Sequence, residues 1–114
     1  MAKLPSEISE TIWALKRQLL DLVEEATTAE YALFDRFGET ERTISYLDEL
    51  KSVAEQATDR FSQFSRLQIR MSNSQPIVPR DMLELVTEII ANTQNRLPAL
   101  ERSIQEIKTE WRLL

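Results

Sequence analysis

Apolar residues recur in this chain at alternating spacings of four and three. The series is Ile8, Ile12, Leu15, Leu19, Leu22, Ala26, Ala29 and Leu33, then, after a gap, Leu47, Leu50, Ala54, Ala57, Phe61, Phe64 and Met71. Such a row is the signature of a helix facing other helices. The gap positions in phase with it are Arg36, Thr40 and Thr43, and the only glycine, Gly38, lies among them. Glycine readily adopts the left-handed conformation that ends helices, and Thr40 is a competent cap for a following one, so the chain is expected to reverse here.

The first helix is expected over about 6–37, with Ser6 able to cap it and Glu7 and Glu10 near its positive end. Trp13, Leu20 and Phe34 lie on a flank of its row, with Val23 and Phe37 between. The apolar arc is then wider than one seam requires, which predicts a helix touching two neighbours. The second helix is expected over about 41–72, its row widened by Ile44, Tyr46, Val53 and Leu67. Ser72-Asn73-Ser74-Gln75-Pro76-Ile77-Val78-Pro79 reads as a loop, because two prolines and several small polar residues stop a helix. A third helix follows over about 79–113, with its row at Leu83, Val86, Ile90, Thr93, Leu97, Leu100, Ile104, Ile107, Trp111 and Leu114. Pro98 interrupts it without shifting the spacing, which predicts one helix kinked at that residue.

The sequence also carries a packing test. Leu19, Leu22, Ala26, Ala29 and Leu33 reappear 28 positions later as Leu47, Leu50, Ala54, Ala57 and Phe61. A reversal at Gly38 sets Ala26 and Ala29 opposite Leu50 and Leu47, and Leu22 and Leu19 opposite Ala54 and Ala57, so each large side chain meets a small one. The expectation is an all-α, up-down-up antiparallel three-helix bundle with long, coiled-coil-like helices, one domain over residues 1–114. A rival keeps residues 8–71 as one continuous helix and makes the same contacts between two chains, as a swapped antiparallel dimer. In shape the expected bundle resembles a spectrin-type repeat, which has about this length and carries tryptophans on its outer helices, as Trp13 and Trp111 stand here. Shape alone implies no function.

Composition narrows the chemistry. The chain has no cysteine and no histidine, which removes thiolate nucleophiles, zinc-thiolate sites and the commonest proton-transfer residue near neutral pH. No row position is an acid, so the carboxylates fall on polar faces, and no phosphate-cradling glycine loop or metal-ligand spacing is present. The expectation is a protein that is not an enzyme, without cofactor or metal. No apolar run is long enough to span a bilayer and the first residues lack an apolar signal-peptide core, so no membrane insertion and a cytoplasmic location are expected.

Net charge is -5, which argues against general nucleic-acid binding, but it is unevenly spread. Thirteen acids and five bases lie between residues 7 and 59, whereas residues 61–80 contain Arg66, Arg70 and Arg80 and no acid. Lys16 and Arg17 are expected at the same end. With Trp13 on the flank of its row, and Ile77 and Val78 set between prolines, this end is the candidate partner-binding patch: Trp13, Arg66, Arg70, Ile77, Val78 and Arg80. The functional expectation is an adaptor, assembly factor or regulatory subunit binding another protein, with homodimerisation as a further option. The alternative is a small nucleic-acid-associated regulator using the basic end.

Overall fold

The computed structural model describes residues 6–113. Three helices follow one another: α1 (Ser6–Phe37), α2 (Ile44–Asn73) and α3 (Arg80–Glu110). They pack side by side as a three-helix bundle of 56 × 19 × 18 Å, with α1 against both others and most closely against α2. The radius of gyration is 17.3 Å, whereas a compact domain of this length is expected near 13 Å. The bundle is a rod, so most positions on each helix are close to solvent.

The core is the row read from the sequence. Ile12, Leu15, Leu19, Leu22, Ala26, Ala29 and Leu33 of α1, and Leu47, Leu50, Ala57, Phe64 and Met71 of α2, are all buried. Every residue of the 28-position repeat is buried except Ala54 and Phe61, which are partly so and pack against the core. Val86, Ile90, Thr93, Leu97, Leu100, Ile104 and Ile107 supply the third wall. Ile89 joins them, an addition that the spacing of the row did not include. Leu114, the last residue of the expected row, lies outside the described residues.

The reversal at Gly38 is built as its residue types require. Gly38 has φ 71°, and its N–H donates to the Phe34 carbonyl at 2.8 Å, closing α1 with a left-handed cap. The α-helix proper of α2 begins at Ile44, later than expected, because residues 41–43 form a turn. Thr40 caps that turn and not the helix itself: its Oγ1 accepts the N–H groups of Arg42 and Thr43 at 3.2 Å each, while Thr43, the residue before α2, makes no side-chain cap. Thr43 is buried in this turn; its hydroxyl donates to the Gly38 carbonyl at 2.8 Å and accepts the Thr40 N–H at 2.8 Å. These bonds hold the turn in a reversed course, so the continuous helix over residues 8–71 is not formed in this chain.

The third helix runs unbroken through Pro98 and ends at Glu110, shortly before the expected limit. Arg112, at φ 52°, occupies the left-handed position after it. The Leu113 N–H donates to the Lys108 carbonyl and the Arg112 N–H to that of Thr109, the paired bonds of a Schellman ending. Arg36 closes the same end from α1, donating to the Arg112 carbonyl at 2.9 Å.

Candidate docking surface

The six residues of the expected patch do not form one surface. Val78 is only 6 % exposed and belongs to the core, so it plugs the bundle end where a partner-facing position was expected. Ile77 beside it is 76 % exposed. Arg80 pairs with Glu84 one turn on, at 3.2 Å between exposed groups, so its charge is not a free one. Trp13 borders a groove between α1 and α2, opposite Ile69, whereas Arg66 borders a different groove between α2 and α3. Arg70 is exposed near the end of α2.

Lys16 reaches this end, as expected, but is buried and not part of its basic surface. It is 7 % exposed, its Nζ donating to Gln68 Oε1 at 2.8 Å and standing 4.5 Å from the Trp13 ring centre and 4.8 Å from that of Phe61. A cation lodged against two rings and an amide carries its charge with little water, because the ring faces are electron-rich. It also fixes the Trp13 ring at the groove edge. Beneath this edge lies a hollow of about 620 Å³ whose α2 side is largely small and polar, with Ser65 and Ser72.

The α2/α3 groove is polar. A hollow of about 790 Å³ is lined by Arg60, Arg66 and Arg96 among neutral amides, with Asp59 and Ile89. Arg60 donates to the buried Thr93 hydroxyl at 3.2 Å, and Arg96 grips Gln56 Oε1 through two nitrogens at 3.2 and 3.0 Å. Arg60 thus supplies a hydrogen-bond partner to the one polar residue in the middle of the α3 row.

At the opposite end Trp111 packs against Phe37 and Tyr46, with ring centres 5.0 and 5.4 Å away, and the Arg42 guanidinium lies 5.6 Å from its ring. Tyr46 donates to Glu110 at 3.0 Å, and this bond, which favours the protonated phenol, raises the tyrosine pKa above its ordinary value.

The largest departure from expectation is on α1. Trp13, Leu20 and Phe34 are each 56 % exposed and Tyr31 is 72 % exposed. With Thr27, the first three fall seven residues apart, so they form one row along the helix. The wide apolar arc predicts two neighbours, and two neighbours are present; α2 and α3 still leave this flank uncovered. At the Tyr31 and Phe34 end the row borders a second hollow of the α1/α2 groove, about 260 Å³, beside Leu47 and Lys51.

Among the described residues no three carboxylates converge as a metal site would require, and no helix is long and apolar enough to cross a membrane. No family model matches this chain, and the comparisons with curated proteins and with solved structures return no match either.

Proposed function

We propose that this chain is a non-enzymatic helical-bundle protein that acts through contacts with other proteins, as an adaptor, assembly factor or regulatory subunit, with the cytoplasm as its place of action. The observation that carries this reading is the uncovered row of Trp13, Leu20, Tyr31 and Phe34 on α1. Single exposed apolar residues are ordinary; four large ones on one helix face are a patch of the kind that marks interaction sites. Full burial of such a side chain is worth about 1.5–3 kcal/mol, and roughly half of that is still to be gained at each. The sum, roughly 3–6 kcal/mol, is no larger than the cost of association itself. The row therefore supports a reversible contact that needs further polar complementarity, not a permanent one.

The test is affinity capture from lysate of the source organism, comparing the intact chain with a Leu20→Glu/Phe34→Glu double variant. Both positions are exposed, so helicity should hold. One dominant protein recovered in fixed ratio with the intact chain and lost with the variant is the expected outcome. Equal recovery by both would remove the row from the contact, and capture of the chain alone would redirect the reading to self-assembly.

The three arginines of the α2/α3 groove keep a second reading, a nucleic-acid-associated regulator. None of Arg60, Arg66 and Arg96 forms an ion pair among the described residues, so their charge is available to phosphates. Nucleic acid in the same capture, lost steeply as salt is raised, would favour it.

A further inference from the structure

Resting on the protein-contact reading, we propose that the α1/α2 groove and the apolar row beside it seat a basic amphipathic helix of a partner protein as a fourth helix. Three observations converge on that occupant. The first is shape. Trp13 and Phe34 are 21 residues apart on one helix, about 31 Å at the α-helical rise, so the row suits a straight partner of about 20 residues. Its seven-residue spacing meets the apolar row of another helix turn by turn.

The second is the floor of the groove. It deepens at both ends of the row, beneath Trp13 and Ile69 and beside Tyr31 and Phe34. Between them α2 carries Glu55, Thr58 and Ser62 at the spacing of the groove, and of these Thr58 and Ser62, like Ser65 in the first hollow, are small. Small side chains let a helix backbone approach closely, while the rings at either end offer it anchors.

The third is charge, which selects the partner. Along the outer edge of the row α1 carries Glu10, Asp21, Glu24 and Asp35, all exposed, against one base, Arg17. Across the groove α2 adds Asp48 and Glu55, also exposed. None of these six carboxylates is in an ion pair among the described residues; the one pair in the groove joins Lys51 to Glu30 at 3.6 Å. A second copy of α1 laid antiparallel on this row would bring Asp21 and Glu24 against their own counterparts near the symmetry axis. Like charges so placed oppose self-association, and the same edge repels an anionic lipid surface. A helix with lysines or arginines flanking its apolar row meets the edge with opposite charge on both sides.

The experiment is a selection against the full-length chain from a displayed library of 21-residue helices. Leucine, isoleucine or phenylalanine is fixed at the core positions, and the flanking positions are randomised among Lys, Glu, Gln and Ser. Enrichment of Lys at the flanks is expected. Synthetic winners should lose at least tenfold in affinity with Leu20→Glu and several-fold with Glu24→Lys, at unchanged far-UV circular dichroism, and should weaken as salt is raised. Enrichment of acidic or neutral flanks would overturn the basic-partner inference and leave the protein-contact reading standing. Winners indifferent to Leu20→Glu, or none at all, would also overturn it, while the capture experiment judges the broader reading separately. A dimer whose cross-links join α1 to α1 would assign the groove to a second copy and overturn it as well.

Discussion

Two left-handed residues end two helices here, and they are chemically unlike. Gly38, at φ 71°, has open space where a Cβ would stand, so only backbone conformation requires a glycine there. Arg112 adopts the same region at φ 52° with a full side chain. A Cβ in this region is disfavoured by about 1 kcal/mol or a little more. Gly38→Ala should therefore destabilise the fold by about 1 kcal/mol, and Arg112→Gly should stabilise it by about 0.5–1 kcal/mol. The bond that Arg36 makes to residue 112 uses a carbonyl oxygen and survives the second change. Urea unfolding of the two variants reads both signs, and an Arg112→Gly protein less stable than its parent would show that the arginine side chain has a role of its own. Tyr46 gives a prediction in pH. Its hydrogen bond to Glu110 needs the phenolic proton, and its folded pKa lies above the ordinary 10.0. The folded state thus holds this proton more tightly than the unfolded one. The stabilisation is complete below the unfolded pKa and is lost as pH rises through the folded one. A spectroscopic titration of phenolate should show a late component that Tyr46→Phe removes; if the phenolate lost with that substitution is not a late one, the bond does not form in solution.

At the scale of the element, α3 keeps one helix through a residue that cannot donate a hydrogen bond. Pro98 is exposed, so an alanine there would be tolerated sterically. It would restore one backbone bond. Pro98→Ala should raise stability by about 1–3 kcal/mol. A neutral or destabilising result would mean that α3 needs the proline's local geometry to lie against α1. The helices themselves were legible because their row has one period and because, across its middle, the reversal sets Leu19 and Leu22 opposite Ala57 and Ala54, and Leu47 and Leu50 opposite Ala29 and Ala26. The flank of α1 was visible too: Trp13, Leu20 and Phe34 stand outside the row. Periodicity, however, states only that a face is apolar, not whether this chain supplies its cover. Lys16 shows the complementary limit. Its burial depends on Gln68, 52 residues away, and on the Phe61 ring, and no local pattern announces that arrangement. Val78 stands between prolines in a loop, and its neighbours in sequence do not tell a residue that closes the bundle end from one that faces a partner, because the depth of that end is a tertiary property.

For the whole molecule, the seams are unequal. α1 and α2 are joined most closely, by alternating small and large residues and by a tightly bonded turn, whereas α3 is held less closely by either. Between α2 and α3 the polar groove of Arg60 and Arg96 replaces apolar packing along part of the seam. Proteins open in cooperative units, and the element with the fewest close contacts opens at the lowest free energy. Native-state hydrogen exchange in low denaturant should therefore show the amides of Val86, Ile90 and Leu97 exchanging through a partial opening, with a smaller denaturant dependence than those of Leu19 and Leu50. Equal free energies and equal denaturant dependences in all three helices would instead mean one global event, and the inequality of the seams would have no energetic consequence. The distinction bears on docking, because the apolar row and its groove belong to α1 and α2. A surface built on the more firmly joined pair can hold Trp13, Leu20 and Phe34 at fixed spacing while α3 opens, so a bound helix should leave exchange in α3 almost unchanged and slow it in α1 and α2.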